Sequence, residues 1–422
     1  MHHDPGKHGD RAGFRGFTVR HLLAVLAVVA AAMAITVTKM PQGVLGLAVQ
    51  TLAGTEHAPA ANAGPGPFLA PPQPPRGSAN GALAALNAST LSSIASDCSV
   101  DVSAPLDAYL ASLPDGGVLS SPAGACYLVN EGIRITHPLT LAGGTFTDDS
   151  STVPARKPDH SPSPLYPIID ILDTHNVTVE NVHVLGANVD GSYHRHLVNN
   201  AGIDVLSSDQ VTLTNIVSTD TFGDGLELWT NWPTSGRPDT SVHVNGYTVI
   251  RAGRYGFTPA YVKYSTFNNV HVASAADAAW DFESDTAGTG SGYITITNCS
   301  VYTHTETAFN IIEGLSGPVS FSNCTGSGHI NFKPGGPSAP VTINNSTIDL
   351  PRTDPGTPPA GIFDQGGTLT LNNDTFNRLA GTSPLTGPAW RAVGHATLII
   401  NQSTVAKPLG TNAATSTVTV NP

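Results

Sequence analysis

The chain has 422 residues, of which 12% are charged and 6% aromatic, with 43 glycines, 33 prolines and a formal net charge of −12. So turn-rich a composition argues against long helices, and the acidic balance argues against nucleic acid or an anionic lipid surface as partner. Length admits two average domains or one long repetitive one.

Taken in chain order, the first residues are basic. Lys7, Arg11, Arg15 and Arg20 precede an uncharged apolar run at 22–38. Residues 1–21 are read as a basic tail, and 22–38 as a transmembrane anchor or a signal peptide. Both keep the N-terminus cytoplasmic and send the rest outside, to the cell surface or beyond. An anchor would make the membrane a partner through this segment alone. Residues 39–95 are rich in Ala, Gly and Pro, as in "PPQPPRG", and read as a flexible linker. The folded domain is expected over 96–422.

That domain opens on "SAPLDAYLASLPDGG", which puts Leu106, Tyr109, Leu110 and Leu113 on one helical face, with Ser103 as the expected cap. Repetition follows. "VTVENVHV", "VTLTNIVS", "STFNNVHV", "ITITNCSV", "VSFSNCTG", "VTINNSTI" and "LTLNNDTF" share alternating apolar residues, then a small amide. The amides are Asn181, Asn215, Asn269, Asn298, Asn323, Asn345 and Asn373, with Gly246 and Gln402 in equivalent places. Alternation of period two means strands. Steps of 22 residues (Asn323 to Asn345) up to 34 (Asn181 to Asn215) mean one solenoid coil per repeat.

These repeats resemble the pectate-lyase-like superfamily. The resemblance, covering about 106–422, implies an all-β, right-handed parallel β-helix of about ten coils with an N-terminal capping helix. It also implies that each corner Asn stacks on the next. Asn298, Asn323, Asn345 and Asn373 open Asn-x-Ser/Thr sequons, so stacked amides and glycan acceptors are both open to them. Cys299 and Cys324 each follow a corner Asn one coil apart, close enough for a disulfide or for two buried thiols. Cys98 and Cys126 are a candidate clip for the N-terminal cap.

A second aligned series reads "GIDVL", "GLELW", "GFTPA", "AWDFE", "AFNII" and "HINFK". Ile203, Leu226, Phe257, Trp280, Phe309 and Ile330 share one parity, taken as inward. Asp204, Glu227, Thr258, Asp281, Asn310 and Asn331 then face outward, with Trp229, Glu283 and Lys333 two positions on. The resemblance places the substrate face on the sheet preceding the Asn turn, with long loops entering from one side. Those loops carry Asp190, Tyr193, His194, Arg195, His196, Asp220, Asp224, Arg251, Arg254 and Tyr255 to its rim.

Glu227 and Asp281, two coils apart, are the expected general acid and base of a glycoside hydrolase, with Asp204 or Asp224 assisting. Trp229, Tyr255, Glu283, Asn310, Arg254 and His194 are the expected substrate contacts, polysaccharide being the partner. No metal site is assigned, although the acids with Asn310 would admit Ca2+ through oxygen ligands. The named chemistries of the superfamily do not carry over intact. "STDTFGDGLEL" offers only Asp224 where polygalacturonases have an Asp pair, and "GRYGF" stands where they have His-Gly. The expectation is an exported polysaccharide-cleaving protein. The alternatives are a non-catalytic surface module, whose acidic stripe is merely solvated, and a calcium-dependent lyase.

Overall fold

The computed structural model describes residues 91–149, 166–195, 197–230, 237–283, 290–312, 314–333, 339–350, 361–378, 390–405, 411–412 and 416–421. The chain divides into a unit Met1–Arg76, wholly outside those residues, and a unit Gly77–Pro422. The expected tail, the anchor or signal at 22–38 and most of the linker therefore lie outside the described residues. Among the described residues no helix is long and apolar enough to cross a membrane.

The second unit is a parallel β-helix with three strands per coil. A pre-turn ladder runs from Gly117–Ser120 through Leu139–Ala142 and His175–Glu180 to Thr417–Asn421. A post-turn ladder runs from Asp97–Asp101 to Thr404–Val405. A third runs from Ile133–Ile135 through Ile203–Leu206 and Leu226–Trp229 to Thr411–Asn412. Every rung is in parallel register with the equivalent strand one coil away, as the repeat required.

Alternation explains the core. Val179, Leu213, Val244, Phe267, Ile296 and Phe321 lie in register on consecutive pre-turn rungs and are buried. Ile203, Leu226, Phe257, Trp280, Phe309 and Ile330 fill the core from the third ladder, as their parity predicts. Phe257 stacks on Trp280 at 4.7 Å between centroids, and Phe309 meets Phe321 at 4.5 Å.

The corner asparagines serve the backbone first. Asn181, Asn215, Asn269, Asn298, Asn323, Asn345 and Asn373 all have φ between 50° and 56°, while Gly143 and Gly246 take the same corner at 73°. Asn tolerates this left-handed conformation better than most residues with a Cβ. The expected continuous corner stack is corrected. Asn215 donates to Asn181 at 3.1 Å and Asn323 to Asn298 at 3.3 Å, but Asn298 donates to Asn268 instead of Asn269. In the last coils the amide file runs one residue earlier, Asn421 to Asn401 to Asn372 to Asn344, at 2.7, 2.7 and 2.9 Å. Those are strand residues in direct register, so their side chains face one another across the rung spacing of about 4.8 Å. All four sequon asparagines are exposed.

A helix, Ser103–Ser112, buries Leu106, Tyr109 and Leu110. The expected Ser103 cap is also corrected: Ser103 is the first helical residue, and Val102 is the N-cap, with no side-chain cap bond. Asp101 instead accepts the Ser103 backbone N–H at 2.9 Å and its hydroxyl at 2.6 Å. All four cysteines are bonded. Cys98–Cys126 ties the first two post-turn rungs, and Cys299–Cys324 joins two coils inside the core, with Cα atoms 4.4 Å apart.

Candidate functional site

Three strands per coil move the acids one strand upstream of where the resemblance put them. The sheet immediately before the Asn turn presents Thr178, Thr212, Asn245 and Asn268 outward. The carboxylates belong to the third ladder, a corner earlier. There Arg134, Asp170, Asp204, Glu227, Thr258, Asp281, Asn310 and Asn331 occupy one register position on successive rungs. The shared wall expected for Asp204, Glu227 and Asp281 is therefore present.

Asp170 was missed. Its segment "PIIDIL" repeats the pattern of "GIDVL" 34 residues ahead of Asp204, the same step that separates Asn181 from Asn215. That matching step was the available signal. Asp277, beside Tyr255 just ahead of strand Ala278–Phe282, was missed as well and has no repeating counterpart to point to it.

The wall is far less open than a surface stripe. Asp204 is 8% exposed, while Asp224 and Asp281 are wholly buried. Glu227, Trp229, Arg254, Tyr255, Glu283 and Asn310 are half-buried. The segments after Trp229 and Glu283, with Trp232 and Asp285, lie outside the described residues, as does His196.

Arg254 organises the centre. Its guanidinium donates to Asp224 through Nε at 2.7 Å and through its terminal nitrogen at 2.6 Å, and to Glu227 Oε1 at 3.0 Å. Asp224 also accepts from the Tyr255 backbone N–H at 3.1 Å and from the Thr258 hydroxyl. The guanidinium carbon lies 4.7 Å over the Tyr255 ring. Gly225, next to Asp224, packs directly on the core: a Cβ there would meet a Val249 methyl at 2.4 Å. Arg254 was expected to hold substrate, but its fork is spent on the protein's own acids.

Burial sets the protonation states. It pushes the Asp204 carboxyl well above the usual range, helped by the neighbouring Glu227 and Asp170 charges. It raises Glu227 to about 7 against the opposing pull of Arg254. Asp170 rises to about 6, also by burial, with Arg134 opposing from 3.3 Å. Burial and the adjacent Glu283 hold Asp281 well up, while Asn310 donates to its Oδ1 and accepts from Asn331 at 2.7 Å. Oδ1 of Asp170 and of Asp204 have no hydrogen-bond partner in the structure.

The other expected contacts divide. Trp229 meets Tyr261 edge-on at 5.0 Å. His194 lies edge-on to Phe222 at 5.5 Å and beside Asp190. Asp220 and Arg251 form their own two-bonded pair at the loop base. Calcium fits poorly: the carboxylates run in file instead of converging, and among the described residues no three His, Cys, Asp or Glu side chains gather as a metal requires.

No family model matches the chain, and no curated protein matches its sequence. Solved structures do align with it. The A-module of mannuronan C-5 epimerase AlgE4 from Azotobacter vinelandii is 12% identical over 76% of this chain and 97% of its own, at a TM-score of 0.44. Endo-xylogalacturonan hydrolase from Aspergillus tubingensis is 13% identical, covering 78% and 89%, at 0.42. PfbA, a surface adhesin of Streptococcus pneumoniae, is 10% identical, covering 76% and 91%, at 0.44. The chain is similar to pectin-lyase-fold β-helices. An epimerase, a hydrolase and an adhesin stand side by side at such low identity, so the neighbours add no chemistry to the acid file, and the fold rests on the strand register itself.

Proposed function

We propose that the third ladder is a carbohydrate-acting site in which Asp204 and Glu227 form an acid–base pair for glycosidic hydrolysis. One observation carries this: the two carboxyls occupy adjacent rungs, with Oδ1 of Asp204 unpartnered and Glu227 held by Arg254. Arg254 favours the ionised form of Glu227, and nothing does the same for Asp204, so the shared proton resides on Asp204. Asp204 is then the proton donor to the leaving glycosidic oxygen, and Glu227 the carboxylate that attacks the anomeric carbon. Rungs one coil apart give about 5 Å between carboxyls, the spacing of retaining enzymes.

Asp281, expected as half of the pair, is wholly buried and bonded to Asn310, which leaves it a supporting role. Asp224 positions Arg254. Trp229 and Tyr255 supply the apolar ring faces on which sugars pack. Two disulfides accord with an oxidising compartment, and hence with export to the cell surface or beyond through the segment at 22–38.

Reducing-end release from a polysaccharide panel tests the reading. Asp204→Asn and Glu227→Gln should each abolish release while the fold persists. A second reading, a non-catalytic surface module, is favoured by the low exposure of Asp204 and Asp281. It predicts that the parent protein releases nothing from any glycan.

A further inference from the structure

Two exposed rings stand one corner beyond the acid ladder. The corner leading into the pre-turn strands takes a left-handed residue in five consecutive coils: Asn176, Gln210, Ser241, Tyr264 and Tyr293, with φ between 53° and 58°. Asn suits that conformation, whereas a bulky tyrosine adopts it at a cost in stability. Tyr264 and Tyr293 are 59% and 48% exposed, so burial of their rings offsets little of that cost. The rings stack on each other at 4.8 Å and 17°. Gly317 leaves the room Tyr293 needs, since a Cβ there would meet its ring at 2.5 Å. Two aromatic rings are thus fixed side by side and open to solvent, where neither backbone nor core asks for them.

Their surroundings fit a saccharide. Two residues beyond the corner the outward positions are His243, Thr266 and Thr295, and two further on Asn245, Asn268 and Thr297, each set in register. His243 bonds Thr266 at 2.9 Å and Asn268 donates to Asn245 at 3.0 Å, which holds these polar groups in place. Lys263, half-buried at the corner, adds a donor. A protein partner would ask for an apolar centre, whereas hydroxyls and amides beside exposed rings match the two faces of a sugar. The rings also continue the candidate site. Trp229 ends an acid-bearing strand and meets Tyr261, which precedes Tyr264 by three residues, about 11 Å of chain at most. We propose that Trp229, Tyr261, Tyr264 and Tyr293 form an aromatic track that carries a polysaccharide from the acid ladder round the corner onto the pre-turn sheet. The ligand is then a long polymer instead of a short oligosaccharide. The proposal rests on the carbohydrate reading above and adds a second contact surface to it.

Native gels cast with soluble polysaccharides test it on the full chain, the probes being hydroxyethyl cellulose, glucomannan, dextran and polygalacturonate. At least one should retard the parent. Tyr264→Asn and Tyr293→Asn should each weaken the apparent affinity for that polymer at least about tenfold. Their melting temperatures should hold or rise, because asparagine accepts the left-handed corner as Asn176 does. Tyr264→Phe keeps the ring and should run like the parent. The disaccharide of the retarding polymer, at equal sugar mass, should not relieve the retardation. Undiminished retardation of both asparagine variants, relief by the disaccharide, or a fall of several degrees in both melting temperatures would overturn the track and leave the acid-ladder reading intact. Retardation of the parent by none of the four would overturn it too. If reducing-end release were also absent across the wider polysaccharide panel, the carbohydrate reading itself would fall.

Discussion

Arg254 grips Asp224 through two hydrogen bonds of 2.7 and 2.6 Å, and the carboxylate it grips is wholly buried. Removing one partner of such a pair strands the other charge. Arg254→Met should therefore lower stability by roughly 3–5 kcal/mol. Arg254→Lys should recover only part, because an ammonium cannot reproduce the two-pronged fork. Chemical denaturation of the full chain reads both, and equal stability of parent and Arg254→Met would contradict the geometry.

Asp204 predicts the opposite sign. Its Oδ1 is buried without a donor and burial pushes its carboxyl well above the usual range, so Asp204→Asn removes a carboxyl whose charged form burial disfavours and keeps its shape. The melting temperature should hold or rise by a few degrees even as the proposed hydrolysis disappears. A loss of both together would mean that the carboxyl has a structural partner.

The pH dependence of stability should run against the usual acid denaturation. Burial raises Asp148 and Asp364 to about 7, and Asp170 and Asp374 to about 6. Unfolded, these groups titrate near 4. Between those values the folded chain binds more protons than the unfolded one, so stability falls as pH rises through 6 to 7. Asp148 and Asp364 should each contribute on the order of 1–2 kcal/mol between about pH 8 and about pH 5.5. Melting curves should accordingly shift upward by several degrees at the lower pH.

The corners isolate a backbone effect. Asn345 has φ 50°, and its side chain is exposed. Asn345→Gly should be close to neutral, whereas Asn345→Val should cost about 1–2 kcal/mol, since a β-branched residue resists the left-handed region. Identical denaturation midpoints for the two variants would show that the corner does not need that conformation.

The core disulfide closes a loop between residues 25 apart, Cys299 and Cys324. The double substitution to alanine should cost roughly 2–4 kcal/mol. Calorimetry on the full chain gives the value directly.

How much of this could be read from residue order alone depends on range. "VTLTN" and "VTINN" fix strand, corner and coil because alternation and a left-handed corner are local demands, and each coil repeats them. The parity of Trp280 and Asp281 was readable for the same reason. Two things were not. Whether an outward side chain meets water depends on what lies over it, so Asp281 looked like a surface acid and is wholly buried. The grip of Arg254 on Asp224 spans 30 residues and depends on how two corners stack, which no spacing encodes. Asp170 was readable and overlooked, since the long stretch between Thr147 and Ile169 hid its place in the repeat.

The corner between the pre-turn and post-turn strands is held to a single left-handed residue, while the two corners bordering the acid ladder take up the differences in coil length. Segment exchange is thus tolerated just where recognition would be altered and is resisted where the stack is keyed together. Transplanting connections from one coil to another should retune selectivity without redesigning the scaffold, so the solenoid separates what evolution can vary from what it must keep.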